Sequence, residues 1–130
     1  METHLEITGI ALILLGLVHI IFPRYFHWKT ELQALSLVNR QMMEVHTFFI
    51  ALVVVLMGLL CLTSARELTG TPLGKKISLG LCFFWTCRLV IQFFGYSAKL
   101  WKGKRFETWV HITFSCFWLY LCILFLLAGL

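Results

Sequence analysis

Three histidines lie in largely apolar segments of the chain, and their positions predict that they reach a similar depth in a membrane. His19 falls in LLGLVHIIF, His46 in MMEVHTFF and His111 in TWVHITF. Imidazole nitrogens at one depth on facing helices are what a b-type haem requires, and imidazole also binds zinc and copper. The sequence therefore predicts a cofactor site with His46 and His111 as the main pair and His19 as the alternative.

Charged and amide side chains accompany these histidines. Arg88 and Gln92 are four residues apart, as are Arg40 and Glu44, so each pair shares one face of a helix. An arginine at membrane depth costs roughly 2.5 to 3.5 kcal/mol on insertion scales, so Arg88 should face the protein interior and find a partner. Glu44 is the acid nearest to that depth. We predict a buried pair of Glu44 and Arg88, with Gln92 completing the hydrogen bonds.

The haem and metal forms of the cofactor prediction use different residues. In a haem b site, Arg40, Lys102 or Arg105 would bind the propionates at the interface. In a metal site, zinc or copper would be bound by the three histidines. Glu44 and His46 are two apart and point about 200° away from each other on a helix, so one metal ion should not bind both.

Two helix faces support an inward position for the histidines. Gly9, Leu12, Gly16 and His19 recur at heptad-like spacing, and glycines on such a face let another helix or a flat cofactor come close. The face through His111 continues to further polar and aromatic positions, namely Ser115, Trp118 and Cys122.

The composition defines the environment of these elements. Of 130 residues, 60% are hydrophobic and 13% are charged, whereas soluble domains carry about a quarter charged residues. Crossing a hydrocarbon core takes about 20 apolar residues, and four stretches approach that length. The sequence predicts an all-α integral membrane protein, a four-transmembrane-helix up-down bundle. It forms one domain, residues 1–130, with helices at about 5–22, 30–63, 77–96 and 109–130. Thr30 followed by Gln33 suggests a capping box for the second helix.

The distribution of Lys and Arg predicts the orientation. The first and third loops contain Arg24, Lys29, Arg40, Lys99, Lys102, Lys104 and Arg105, while the second loop contains only Arg66, Lys75 and Lys76. Short loops rich in Lys and Arg are cytoplasmic, so both termini should lie on the non-cytoplasmic side and the polar cluster in the cytoplasmic leaflet. We expect a bacterial inner membrane. The net charge of +5 fits contact with anionic lipid, and nothing indicates nucleic acid.

Three functional hypotheses remain open at this stage. The first is binding of a cofactor or small ligand, with haem b or a metal ion in a redox role. The second is a small proton-coupled transporter that uses Glu44, Arg88 and Gln92, either alone or as a homodimer. The third is an accessory subunit that docks its aromatic faces on a larger membrane complex. The sequence leaves open whether the protein is an enzyme.

Overall fold

A computed structural model describes residues 1–95 and 103–130, and in these residues the chain is helical without any strand. The helices are α1 (Glu2–Val18), α2 (Phe22–Tyr25), α3 (Trp28–Glu31), α4 (Leu37–Thr63), α5 (Ala65–Gly70), α6 (Pro72–Phe94) and α7 (Arg105–Gly129). In the described part of the chain, α4, α6 and α7 are long and apolar enough to cross a membrane, whereas α1 has 17 residues. The predicted all-helical fold with apolar helices is therefore confirmed there.

The described residues fall into two compact units, and each is a pair of packed long helices. The first hairpin, Glu2–Ala65, pairs α1 with α4, and the second hairpin, Arg66–Leu130, pairs α6 with α7. A single domain over the whole chain stays a prediction.

In the first hairpin, glycines bring two helix backbones into direct contact. A Cβ added to Gly9 would lie 2.6 Å from the carbonyl oxygen of Gly58, and one added to Gly58 would lie 2.6 Å from that of Gly9. Two turns further along α1, a Cβ on Gly16 would meet Cγ2 of Val55 at 2.5 Å. Small residues permit this approach, which maximises van der Waals contact where no water is present to drive association.

Helix α1 ends earlier than the apolar run predicts. The run continues to Phe22, but α1 ends at Val18, and the amide of His19 bonds to the residue three before it, Gly16. Pro23 explains the early end, because it lacks an amide hydrogen and its ring would clash with the carbonyl of the residue four before it, His19. The chain instead restarts as α2, with the proline in its first turn.

Helix α4 begins at Leu37 instead of Thr30. The hydroxyl of Ser36 accepts a hydrogen bond from the amide of Asn39 at 3.3 Å and caps the helix. Thr30 lies inside α3, where it cannot cap α4. A short 3-10 turn, Leu32–Ala34, follows α3 and buries Leu32. Burial of this leucine favours the separate turn over an earlier start of α4.

The second hairpin is packed by side chains instead of by paired glycines. The hydroxyl of Ser78 donates to the carbonyl of Leu68 at 3.1 Å and is fully buried. The rings of Trp85 and Trp118 stack with centroids 5.1 Å apart and an interplanar angle of 12°. Helix α6 starts at Pro72, five residues before the predicted start, because Thr71 caps it by accepting from the amide of Gly74 at 2.9 Å.

Helix α6 ends at Phe94, close to the predicted end. Helix α7 covers Arg105–Gly129 and so begins one turn before the predicted start at residue 109. Residues 96–102 of the third loop, including the predicted propionate ligand Lys102, lie outside the described residues.

Candidate functional site

His19 is held in one orientation at the end of α1. Its Nδ1 lies 2.8 Å from the carbonyl oxygen of Leu15. A carbonyl oxygen can only accept, so Nδ1 donates, and the neutral ring carries its acceptor lone pair on Nε2. The ring of Phe22 packs against the imidazole with centroids 4.7 Å apart. A hydrogen bond from one ring nitrogen to a backbone carbonyl is also how many metal-binding histidines are oriented, with the other nitrogen toward the metal.

His19 and Glu44 line the same groove of the first hairpin. The groove has a volume of about 200 Å³, and its other lining residues are Ile20, Pro23, Thr47, Phe48 and Ala51. The Thr47 hydroxyl donates to the carbonyl of Met43 within α4 at 2.8 Å. The groove therefore offers a ligand the imidazole of His19, the carboxylate of Glu44 and the acceptor lone pairs of the Thr47 hydroxyl, set against apolar walls.

A second, basic groove adjoins the first, because both are lined by Pro23 and Glu44. It has a volume of about 510 Å³, and its remaining lining residues are Arg24, His27, Trp28, Lys29 and Thr30. The sequence analysis did not single out Arg24, Trp28 and Lys29 as site residues. The mixture of basic and aromatic residues directly after Pro23 is the signal that could have indicated them.

The other predicted site residues of the first hairpin lie elsewhere. His46 is exposed, and neither groove formed by the described residues has it in its lining. Arg40 is half-buried in the first turn of α4. The structure thus brings His19 together with Glu44 and leaves His46 apart from them, in keeping with the angular separation expected two residues along a helix. A cofactor on His46 stays a prediction.

The second hairpin contains a buried hydrogen-bond network centred on Gln92. Its Oε1 accepts from Nη1 of Arg88 at 3.2 Å and from Nε1 of Trp118 at 3.4 Å. Its Nε2 lies 3.1 Å from Nδ1 of His111 and 3.5 Å from the carbonyl oxygen of that residue. Arginine and indole nitrogens only donate, so the amide must present Nε2 to His111, and the neutral imidazole carries its proton on Nε2.

The ring of Trp118 lies against the guanidinium of this network. Cζ of Arg88 lies 5.0 Å from the centroid of the Trp118 ring, which stacks on Trp85. A cation over an indole face is stabilised by the ring quadrupole, which offsets part of the cost of placing arginine in an apolar helix. The indole nitrogen of Trp85 is buried and has no hydrogen-bond partner. Trp85, Arg88 and Gln92 fall at i, i+3 and i+7, a spacing that could have linked Trp85 to the cluster.

Predicted contacts between the two hairpins stay predictions. Glu44 is exposed in the first hairpin, whereas Arg88 and His111 belong to the second. Arg105 is exposed at the first position of α7. Among residues 1–95 and 103–130, no group of three or more His, Cys, Asp or Glu side chains is placed to hold a metal ion.

Comparisons with known proteins were made at the level of families, single proteins and structures. No protein-family model, no curated protein and no solved structure matches this chain. The geometry of the two hairpins is therefore the basis for assigning a function.

Proposed function

We propose that this chain is a small polytopic membrane protein that binds a small ligand or cofactor in the groove lined by His19 and Glu44. The observation that supports the proposal is the fixed imidazole of His19, whose Nδ1 donates to Leu15 and whose Nε2 is left as an acceptor. Glu44 lines the same groove and adds a second polar group among apolar walls. Such a combination, apolar walls with few polar groups, is typical of small-molecule sites.

The proposal includes four membrane crossings with both termini outside the cytoplasm. Helix α4 has 27 residues and a length of roughly 40 Å, which exceeds a hydrocarbon core of about 30 Å. Helix α1 is roughly 26 Å long, and modest local thinning or the residues after Val18 would make up the difference. The excess of Lys and Arg in the first loop supports a groove in the cytoplasmic leaflet. In our proposal the membrane is a bacterial inner membrane.

Of the predicted redox cofactors, haem b asks for fewer protein ligands from this groove than a lone metal ion does. A single imidazole nitrogen can serve as an axial ligand of haem iron, and Nε2 of His19 has the required tautomer. A zinc or copper ion takes more protein ligands, and in the described residues only Glu44 accompanies His19 in the groove. Haem held by His19 is one form of the proposal, and haem held by His46 and His111 stays a prediction.

The experiment that tests the proposal asks which molecule the purified protein retains. The protein is extracted in mild detergent, and its absorption spectrum is recorded oxidised and dithionite-reduced, with native mass spectrometry and metal analysis on the same sample. His19→Ala and Glu44→Gln should lose the bound molecule. His46→Ala is the matched control, since it removes an exposed imidazole of the same hairpin that lines neither groove.

Each outcome decides the proposal. A Soret band that is absent in His19→Ala and present in His46→Ala would identify haem in the groove. A colourless bound molecule that is lost in His19→Ala and retained in His46→Ala would support a small ligand other than haem in the groove. Retention in His19→Ala, or a wild-type protein that carries and accepts no small molecule, would contradict the proposal.

A small proton-coupled transporter is a second candidate, favoured by the network of the second hairpin. There, the titratable ring of His111 is connected through Gln92 to Arg88. Proton movement is measured in proteoliposomes with a pH-sensitive dye under an imposed potential. Gln92→Leu should abolish proton flux if this candidate is correct, while Gln41→Leu, at an exposed position of the first hairpin, should leave it unchanged.

A further inference from the structure

We infer that the ligand of the first hairpin is a phospholipid whose phosphodiester group binds between Arg24 and Lys29. The acyl chain would lie in the adjoining groove, against Ile20, Phe48 and Ala51. The inference rests on the proposed function, because it names the chemical class of the ligand of the same site.

The charge of the basic groove matches a single negative charge. Arg24 and Lys29 contribute two positive charges, and Glu44 contributes one negative charge, which leaves a net positive charge of one with neutral histidines. A phosphodiester carries one negative charge, so it balances this groove. Guanidinium and ammonium groups are the donors that phosphate oxygens accept from most strongly. The carboxylate of Glu44 can accept from a hydroxyl or amine elsewhere in the head group.

The grooves change from polar to apolar in the direction that an amphiphile requires. Glu44 is the last charged residue of α4 before the apolar run that begins at Val45. The basic groove lies on the side of α2 and α3, whereas the groove of about 200 Å³ follows α4 to Ala51, one to two turns into that run. A head group would thus bind at the polar end of α4, and a hydrocarbon chain would follow the helix into the bilayer.

The wall of the basic groove depends on a strained residue. His27 has a φ of 53°, and in residues 1–95 and 103–130 no other non-glycine residue has a positive φ. This left-handed residue turns the chain between α2 and α3, so that Trp28 and Lys29 line the same groove as Arg24. Conformations of this kind cost free energy and cluster at ligand-binding segments. Indole rings at the head-group level are also favoured at membrane interfaces.

Native mass spectrometry with defined lipids tests the inference. Purified protein in detergent is titrated with phosphatidylglycerol or with phosphatidylcholine of the same acyl chains, and bound molecules are counted. We expect one phosphatidylglycerol to bind at least tenfold more tightly than phosphatidylcholine. The double variant Arg24→Gln, Lys29→Gln should remove that preference. The matched control, Lys76→Gln with Lys104→Gln, removes the same charge at exposed positions outside the groove and should keep the preference for phosphatidylglycerol.

A water-soluble head group separates an anion site from a lipid site. Glycerophosphoglycerol, the water-soluble phosphodiester left when phosphatidylglycerol loses its acyl chains, should bind at least a hundredfold more weakly than the lipid at the same concentration, because it lacks the chain that occupies the apolar groove. Equal binding of the two would overturn the lipid assignment. Equal loss of the preference for phosphatidylglycerol in the two double variants would also overturn the lipid assignment. Such a result would indicate diffuse attraction between basic residues and anionic lipid.

The test separates this inference from the proposed function. If a molecule other than a phospholipid, haem included, is lost in His19→Ala but bound normally by the Arg24 and Lys29 double variant, the lipid inference fails and the site remains. If no molecule depends on His19, the proposed site itself is wrong, whatever the lipid titration gives.

Discussion

The two hairpins use opposite means to pack two helices, and the difference bears on where a ligand can bind. In the first hairpin, Gly9 and Gly58 bring the backbones together, and polar side chains are found beyond this contact, in the grooves. In the second hairpin, Gln92 connects Arg88, Trp118 and His111 inside the helix contact. Backbone packing requires no polar groups, so Nε2 of His19 and the carboxylate of Glu44 can serve a ligand in the groove of the first hairpin. In the second hairpin, the side chains of this network already bond to one another.

The largest effect should come from breaking the glycine contact of the first hairpin. Gly58→Leu places a side chain where even a Cβ lies 2.6 Å from a backbone oxygen, so the helices must separate. We expect a loss of about 3 kcal/mol or more in the free energy of unfolding, the upper end for overpacking. The measurement is a titration with sodium dodecyl sulfate in mixed micelles, followed by circular dichroism.

Gly80→Leu is the matched control in the second hairpin. A Cβ at Gly80 meets nothing within 4 Å, so the same substitution should be close to neutral there. If both leucine variants lose stability equally, glycine contact would not distinguish the hairpins, and the comparison would fail.

The next effect concerns the network of the second hairpin. Gln92→Leu keeps the approximate volume but removes the oxygen that accepts from Arg88 and Trp118 and the amide that donates to His111. Loss of these bonds in a buried position should cost about 1 to 3 kcal/mol. Unfolding by detergent titration measures it, with the exposed Gln41→Leu as control. Equal stability of Gln92→Leu and wild type would show that the network contributes nothing.

Two tryptophans of the second hairpin separate the hydrogen bond from the ring. Trp118→Phe keeps an aromatic face but loses the indole donor to Gln92, at a cost of about 1 kcal/mol. Trp85→Phe removes a donor that is buried without a partner, so it should cost less than the Trp118 change despite the greater burial of Trp85. The same titration compares them, and a larger loss for Trp85→Phe would assign the stabilisation to ring stacking.

The helical fold was predictable because it follows from the length and hydrophobicity of segments, which are local properties. The end of α1 at Val18 was also predictable, since the ring of Pro23 would clash with a helical carbonyl four residues before it. The start of α4 was not predictable from the sequence, because Thr30 and Ser36 are both good capping residues and either could begin the helix. Burial of Leu32, a tertiary contact, favours the later start.

The site was also predictable only in part, because some of its contacts are local and others are tertiary. The glycine face of α1 predicted that His19 faces another helix or a flat cofactor, and the i, i+4 spacing placed Arg88 beside Gln92. The partners on the other helix of each hairpin depend on the register between helices, which spacing within one helix does not determine. Trp118 as a donor to Gln92 and Glu44 as a neighbour of His19 therefore required the structure.

The smallest predicted effect compares the caps of α4 and α6. Thr71→Ala removes a hydroxyl that accepts from Gly74 at 2.9 Å and donates to Glu67 at 2.8 Å, so it should cost about 1 kcal/mol. Ser36→Ala removes one exposed bond of 3.3 Å and should cost about 0.5 kcal/mol. Thr63→Ala is the control, because its hydroxyl bonds within its own helix, to Leu59. Thermal unfolding in detergent measures all three. A larger loss for Ser36→Ala would mean that the segment before α4, which forms the wall of the basic groove, depends on its cap more than the second hairpin does.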